Sequence, residues 1–473
     1  MRGPRNGAML SSMGSRTARL RAALASAAAL LACGGAEPPR LLLLVTVDTL
    51  RADRLGAYGS PLGLTPHLDA LAAESLVFGS AYAASSFTLP SLSALLTGRY
   101  PEEYGMWSNE SALPADVPTL ASELRARGWR TAAVVSNFVL RRTSGLAEGF
   151  SRYDDETPNW EPTRGWPERV ARRTTSAALP LLEGCTANAA DRCFLWVHYQ
   201  DPHGPYTPPP GLRERFLPGE RAAPDGTRRL ALREDHMGMG GIPRYQVLDG
   251  LREAAFYRAG YHGEVATVDT EVGRLLGRVA ELGLADRSVV VFAADHGEAL
   301  GEGDYWFAHG EYLSEELVRV PLLLKAPGQE PGRRDEVVAL VDVLPTLLAL
   351  LGEGSAPDAP AARPGRDLLA PGAGETASVP YLATLGGSTV RRHGVVEGDY
   401  KLVLTERDGV WDASLVRRGR EGVELAAAAP QIAERLRARL SELRARYATG
   451  REELHQGFAP EDRERLRALG YVD

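Results

Sequence analysis

The chain has 473 residues, of which 44% are hydrophobic and 24% are charged, and its formal net charge is −7. These values are typical of a globular protein, and the length allows one large domain or two to three ordinary ones. The acidic balance excludes the basic footprint of a nucleic-acid-binding protein, so we expect no nucleic acid partner.

Residues 1–32 differ from the rest of the chain. They contain five arginines, no acidic residue and an apolar run from Ala22 to Ala32. This pattern is typical of an export signal and is too short to span a bilayer. Its removal takes the formal net charge from −7 to −12. The run ends in Leu-Leu-Ala-Cys33, which resembles a bacterial lipobox, although a simple secretory signal with a coincidental cysteine is the alternative. We therefore expect a signal peptide over 1–32, a lipid anchor at Cys33, a tether over 33–40 and an exported or periplasmic location.

Strands and helices are predicted to alternate between residues 41 and 352. The strands are Leu41–Val47, Thr131–Val135, Phe194–Val197, Ser288–Ala294 and Val320–Leu324. The helices are Thr65–Leu76, a run from Pro90, Pro118–Arg127, a long segment before Ser288 and a run from Asp342, and a Pro/Gly-rich loop covers 202–243. Unbroken apolar strands that alternate with helices predict an α/β fold with a large, mostly parallel sheet sandwiched by helices.

A second, smaller unit is predicted after a linker over 353–374, which is rich in Pro, Gly and Ala. Short strands near 379–385, 390–396 and 401–405 and an amphipathic helix over 431–447 predict a C-terminal α+β subdomain over 375–473. In the larger unit, Cys185 and Cys193 either form a local disulfide or remain two free thiols.

Polar residues stand at the ends of three of the predicted strands. These are Asp48, His198 and Asp295. Ligands of parallel sheets bind beyond the carboxyl ends of the strands, so residues from distant parts of the chain are expected to converge there. Two carboxylates together with the imidazole of His296 suit a divalent cation such as Zn²⁺ or Mn²⁺.

Thr88 lies in the stretch SSFTLPSLSALLTGRY, just before a helix that Pro90 predicts. Its hydroxyl is either a helix cap or a nucleophile placed where free N–H groups favour negative charge. Metal coordination would resolve the poor nucleophilicity of threonine, because it lowers the pKa of the hydroxyl.

Six ordered motifs resemble the sulfatase branch of the alkaline phosphatase superfamily. They are VDTLRADRLG, SSFTLPSLSALLTGRYP, FLWVHYQDPHGPY, FAADHGEALGE, AHGEYLSEELVRVPLLL and RALGYV. The resemblance implies one divalent metal ion (Zn, Mn or Ca) held by Asp48, Thr88, Asp295 and His296, with Thr88 as the nucleophile. It implies catalytic roles for His203 and His309 and substrate contacts for His198 and Asn109. Taken singly, a histidine of this kind more often has a structural role, and Asn109 is equally consistent with a turn.

The chain departs from the sulfatase pattern at the positions of the nucleophile and of other catalytic residues. Sulfatases carry C-x-P-S-R or S-x-P-S-R, whose first residue is oxidised to formylglycine, whereas this chain reads Thr88-Leu-Pro-Ser-Leu92. Threonine cannot form that aldehyde because its β-carbon carries a methyl group, so no formylglycine is expected. The sulfatase segment with catalytic Lys and His is replaced by Ser136-Asn137-Phe138. A threonine ester must be cleaved by a second displacement, which phosphoryl esters support more readily.

These residues predict a metal-dependent hydrolase of a sulfuric or phosphoric ester that works through a covalent Thr88 intermediate, with a phosphoester favoured. The expected substrate is a sulfated or phosphorylated glycan or lipid, and the membrane is expected to be contacted only through the lipid anchor. Two alternatives stay open. One is a phosphotransferase that modifies an envelope glycan or lipid, and the other is a non-catalytic, glycan-binding homologue.

Overall fold

The computed structural model describes residues 38–157, 168–188, 190–353, 363–375, 377–386, 389–420 and 422–468. The predicted signal peptide and the predicted lipidation site Cys33 lie outside these residues, as do residues 354–362 of the predicted linker. Within the described part, no helix is long and apolar enough to cross a membrane.

A large sheet forms the centre of the main unit. Its strands are β1 (Leu41–Val47), β2 (Leu76–Tyr82), β3 (Arg130–Val135), β4 (Arg152–Asp154), β5 (Cys193–Tyr199), β6 (Ser288–Ala294), β7 (Arg319–Val320), β8 (Leu322–Lys325) and β9 (Gly332–Ala339). They lie in the order β9-β2-β8-β6-β1-β5-β3-β4, and β7 pairs with β2. All pairs are parallel except those of β7 and β8. The predicted mostly parallel sheet is therefore confirmed.

Helices accompany this sheet. They are α1 (Pro66–Ala73), α2 (Thr88–Thr97), α3 (Leu120–Ala126), α4 (Ala171–Gly184), α5 (Leu212–Ala222), α6 (Ala254–Glu281), α7 (Glu315–Val318) and α8 (Val343–Leu350). A disulfide joins Cys185 to Cys193, between the end of α4 and the start of β5, so the open question of two free thiols is resolved.

Two of the predicted elements were wrong in part. The helix predicted over Thr65–Leu76 ends at Ala73, and Leu76 begins the fully buried β2. Leu76 follows Leu71 by five positions, a spacing that falls off the face of a helix with 3.6 residues per turn. The Pro/Gly-rich loop predicted over 202–243 contains α5, which has no buried residue and therefore no core periodicity to reveal it.

The C-terminal residues form a four-stranded antiparallel sheet and two helices. These are β10 (Tyr381–Gly386), β11 (Val390–Glu397), β12 (Tyr400–Arg407), β13 (Val410–Arg417), α9 (Pro430–Tyr447) and α10 (Pro460–Ala468). The leucine stripe of α9 is buried against the sheet, as expected for core packing. The opposite face of the sheet and the segment around α7 line a cavity of about 1120 Å³, and none of the predicted site residues lines it.

His262 in α6 illustrates a buried histidine with a structural role. Its ring packs against Phe216 and Tyr261. Burial, followed by the charges of nearby arginines, lowers the pKa of His262 to about 3. Glu220 lies 3.4 Å from Nδ1, but its charge is shared with Arg258 at 2.7 Å. The ring therefore stays neutral in the folded protein.

We expect His262 to make the protein acid-sensitive. The unfolded chain binds a proton below a pKa of about 6.5 that the folded chain excludes, so the free energy of unfolding falls with pH. Between pH 7 and pH 5 this contributes about 2 kcal/mol. Denaturant unfolding of His262→Gln at both values should show a smaller loss on acidification. The exposed His455→Gln serves as the control, and an unchanged loss in His262→Gln would contradict the assignment.

Candidate active site

The register of three adjacent strands brings the predicted polar residues together. Val47 of β1 pairs with Tyr199 of β5 on one side and with Ala294 of β6 on the other. Asp48 and Asp295 therefore follow adjacent strands at the same edge, and His198 precedes the end of β5. The predicted convergence at the carboxyl ends is confirmed, and Asp48, His198 and Asp295 are fully buried.

Thr88 is the first residue of α2 rather than the residue before it. The preceding Phe87 takes the cap position, and no side chain caps the helix. The Thr88 hydroxyl instead lies 3.4 Å from Nε2 of His296. The cap interpretation of Thr88 is therefore wrong, and its hydroxyl faces the strand ends.

Two side-chain contacts fix the start of α2 relative to the sheet. The Leu89 N–H donates to Oδ1 of Asn109 at 2.9 Å, and the Ser91 hydroxyl donates to the carbonyl of Asp295 at 2.6 Å. Asn109 is fully buried, and its amide nitrogen has no hydrogen-bond partner. The structure thus gives Asn109 a role in holding the helix that carries Thr88, and leaves its predicted substrate contact a prediction.

Asp48, Asp295 and His296 form a cluster suited to a metal ion. One ligand atom from each lies within 4.8 Å of the other two. Nε2 of His296 is 3.7 Å from Oδ1 of Asp48 and 3.6 Å from Oδ2 of Asp295. Both of these carboxylate oxygens are buried without a hydrogen-bond partner. Nδ1 of His296 lies 2.9 Å from the carbonyl of Gly297, so it donates there and Nε2 presents its lone pair.

The electrostatics of the cluster also favour a cation. Burial raises the pKa of Asp48 well above its ordinary value. Burial and the charge of Asp48 raise the pKa of Asp295 to about 7, and burial lowers the pKa of His296 to about 4. Within the described ranges, no Lys or Arg forms an ion pair with either carboxylate. Two buried carboxylates without a counter-charge are costly, and a bound divalent cation would relieve that cost.

Asn137 is a neighbour of the cluster to which sequence reasoning assigned no role. Its Nδ2 donates to Oδ2 of Asp48 at 2.5 Å, while its Oδ1 accepts from the N–H of Val139 at 3.0 Å. Asn137 thus orients the second oxygen of Asp48. The sequence did hold a signal for Asn137, because it lies in the segment that replaces the sulfatase Lys and His, two positions after the end of β3.

A second buried pair, Glu298 and His309, adjoins the cluster. Nδ1 of His309 lies 3.1 Å from Oε1 of Glu298, and the Tyr206 hydroxyl donates to Oε2 at 3.0 Å. Burial raises the pKa of Glu298 to about 8 and lowers the pKa of His309 to about 3. The ring centroid of His309 is 4.6 Å from that of His296 and 5.0 Å from that of His203. Sequence reasoning missed Glu298, although it stands within the DHGE motif.

His198 lies within β5 and His203 lies in the segment after it, and both approach the same space. Nε2 of His198 is 3.9 Å from Oδ2 of Asp48, and burial lowers the pKa of His198 to about 4. Nδ1 of His203 lies 2.8 Å from the carbonyl of Gly204. The structure therefore brings every predicted site residue to one place, with Asn109 on its rim at the start of α2.

Comparison with known proteins agrees with this geometry. The Sulfatase family model matches residues 40–353, well over half of the chain. The chain is 26% identical to the uncharacterized sulfatase YidJ of Escherichia coli (strain K12), over 69% of this chain and 70% of that protein.

Two solved structures share the fold. BT4656, solved with its substrate D-glucosamine-2-N,6-O-disulfate, has a TM-score of 0.70 at 19% identity and covers 87% of this chain and 98% of its own. The phosphonate monoester hydrolase of Agrobacterium radiobacter has a TM-score of 0.68 at 19% identity and covers 87% of this chain and 96% of its own. With the family model matched and the metal cluster at the expected sheet edge, the chain belongs to the sulfatase family of ester hydrolases.

Proposed function

We propose that this sulfatase-family hydrolase cleaves a phosphate ester through a covalent Thr88 intermediate. The observation that carries the proposal is the position of the Thr88 hydroxyl. It lies at the start of α2, 3.4 Å from Nε2 of His296, and is not used as a cap. This place lies at the positive end of the α2 dipole, which favours negative charge.

Asp48, Asp295 and His296, with Thr88 itself, are the residues that would hold a divalent ion. When bound, such an ion would lower the pKa of the Thr88 hydroxyl and offset the negative charge of the ester. The unpartnered oxygens of Asp48 and Asp295 support this assignment. Asn137 keeps Asp48 in place, and the Thr49 N–H, 3.2 Å away, holds the other oxygen of Asp295.

Thr88 would attack phosphorus, and the bond from phosphorus to the leaving oxygen would break. The Thr88 proton is released to solvent as the hydroxyl ionises, and Nε2 of His309 donates a proton to the leaving oxygen. Glu298, whose raised pKa of about 8 keeps it protonated at neutral pH, lies 3.1 Å from Nδ1 of His309 and replaces the proton that the ring gives up. Water then attacks the phosphothreonine and regenerates Thr88. His203, whose ring centroid is 5.0 Å from that of His309, would contact the substrate.

Phosphate is preferred to sulfate because of the residues that this chain lacks. Thr88 has no route to formylglycine, and Leu92 replaces the arginine of the sulfatase pattern with a fully buried aliphatic side chain. A threonine sulfate ester could not collapse by elimination. Of the two solved structures that share the fold, one is a phosphonate monoester hydrolase and the other, BT4656, was solved with a sulfated sugar. We propose an anionic glycan or lipid of the cell envelope as the natural substrate, reached by an enzyme anchored through Cys33.

The test is an assay of the protein without residues 1–32 on an aryl sulfate, a phosphate monoester and a phosphate diester, each with Mn²⁺, Zn²⁺ or Ca²⁺. We expect kcat/KM on one of the phosphoesters to exceed that on aryl sulfate by at least about tenfold, or 1.4 kcal/mol in transition-state stabilisation. Added alcohol acceptors separate hydrolysis, which yields free phosphate, from transfer, which yields a new ester. Preferential turnover of the sulfate would contradict the proposal.

A further inference from the structure

The histidine rings around Thr88 do not present the same atom to the site. A neutral imidazole has one N–H and one lone pair, so the partner of Nδ1 determines what Nε2 offers. Nδ1 of His203 and Nδ1 of His296 each lie against a peptide carbonyl, at 2.8 and 2.9 Å. A carbonyl only accepts, so both rings donate from Nδ1 and present a lone pair at Nε2.

His198 has a different partner. Its Nδ1 lies 2.9 Å from the hydroxyl oxygen of Thr46, and Nε1 of Trp196 lies 2.9 Å from the same oxygen. An indole N–H is a donor only, so the Thr46 oxygen accepts from Trp196. Among the described residues, this oxygen forms side-chain hydrogen bonds with Trp196 and His198 alone, and of these only Nδ1 of His198 can accept. The single Thr46 proton is therefore donated to Nδ1, and the proton of the neutral His198 ring resides on Nε2.

The pairing of β1 with β5 produces this chain of hydrogen bonds. Thr46 lies directly opposite His198 in the register of the two strands, and Trp196 precedes His198 by two positions. Residues two apart in a strand share a face, so the three side chains lie on one side of the sheet. All three are fully buried, which keeps water from offering Thr46 another acceptor.

We propose that Trp196 and Thr46 are positioning residues that hold His198 as the Nε2–H tautomer, which donates a hydrogen bond to an oxygen of the bound ester. This inference rests on the proposed function, because it assigns the group that receives the hydrogen bond. Nε2 of His198 is buried and has no hydrogen-bond partner. Asp48 Oδ2, at 3.9 Å, is beyond hydrogen-bond distance.

A buried N–H donor without a partner costs free energy, and an oxyanion placed beside it removes that cost. His198 thus differs from His296 in kind. His198 offers an N–H donor suited to a phosphoryl oxygen, and His296 offers a lone pair suited to a metal ion.

The first test determines the tautomer of His198 directly. Protein labelled with ¹⁵N-histidine and loaded with Zn²⁺ is examined by NMR, and His198 is assigned from the signals lost in His198→Gln. We expect the His198 proton on Nε2 in the wild type. Thr46→Val, which keeps the shape of the side chain but removes the hydroxyl, should move part or all of it to Nδ1. Thr46→Ser should restore the wild-type pattern. A proton on Nδ1 in the wild type, or an unchanged tautomer in Thr46→Val, would overturn the proposal.

The second test measures how the His198 tautomer affects phosphate binding and catalysis. Inorganic phosphate added to the zinc-loaded wild type should shift the His198 Nε2–H resonance, and this shift should be absent in Thr46→Val. On a phosphoester, Thr46→Val should lower kcat about tenfold, a fraction of the loss for a deleted oxyanion donor. Thr46→Ser should recover most of it. If the proposed function is wrong, the wild type turns over no phosphoester. The tautomer assignment is tested separately, by the position of the His198 proton in the NMR spectra. A phosphate shift that survives in Thr46→Val would overturn the role of Thr46.

Discussion

Thr88→Ala should lower kcat on a phosphoester by on the order of 10⁴-fold or more. Alanine lacks the oxygen that bonds to phosphorus, so only direct attack by water on the bound ester remains. The fold should persist, because Thr88 makes no capping hydrogen bond and the start of α2 is held by Asn109 and Ser91. Steady-state rates, together with the thermal unfolding midpoint of each protein, separate lost chemistry from lost structure.

Thr88→Ser is the matched control, because serine retains the hydroxyl and loses only a methyl group. We expect it to remain within about tenfold of the wild type. Acid quenching during turnover should trap a phosphoryl group on Thr88 in the wild type and on Ser in the control, detectable by peptide mass spectrometry. Substrate turnover that survives Thr88→Ala with unchanged kcat would remove Thr88 from the reaction.

The central sheet and the strand-end residues could be predicted because their signals are local. β1, β5 and β6 are unbroken apolar runs, and each is followed or ended by a polar residue of the site. Parallel pairing then requires Asp48 and Asp295 to meet. Elements with few or no buried residues carried a weaker signal, which is why α5 and β13 were not predicted.

The partners of the site residues could not be predicted in the same way. Glu298 binds His309 across a turn, and Asn137 reaches Asp48 from the end of another strand. The contact of Thr46 with His198 depends on the register of β1 and β5, which sequence does not specify. The chemistry at Thr88 could be predicted from its residue type. The orientation of each side chain could not, because it depends on how the strands pair in three dimensions.

Asp295→Asn should abolish activity and reverse the effect of a metal ion on stability. The wild-type cluster holds two buried carboxylates, whose unpartnered oxygens lie close to Nε2 of His296. Above about pH 7, where Asp295 is ionised in the absence of metal, this charge is uncompensated, so replacing Asp295 with a neutral amide of the same shape should raise the unfolding midpoint of the chelator-treated protein. With metal, the wild type should gain about 2.7 kcal/mol at a metal concentration 100 times Kd, and the variant should gain far less.

The measurement is thermal unfolding of both proteins after chelation and after addition of Zn²⁺ or Mn²⁺, with metal content determined by elemental analysis. Asp249→Asn makes the same change on an exposed carboxylate and should leave both the midpoint difference and the activity unchanged. Two opposite shifts, one in each metal state, distinguish a metal ligand from a carboxylate that only supports packing, because a packing role would lower the midpoint in both states. Full metal content and activity in Asp295→Asn would remove Asp295 from the ligand set and leave its unpartnered oxygen without an explanation.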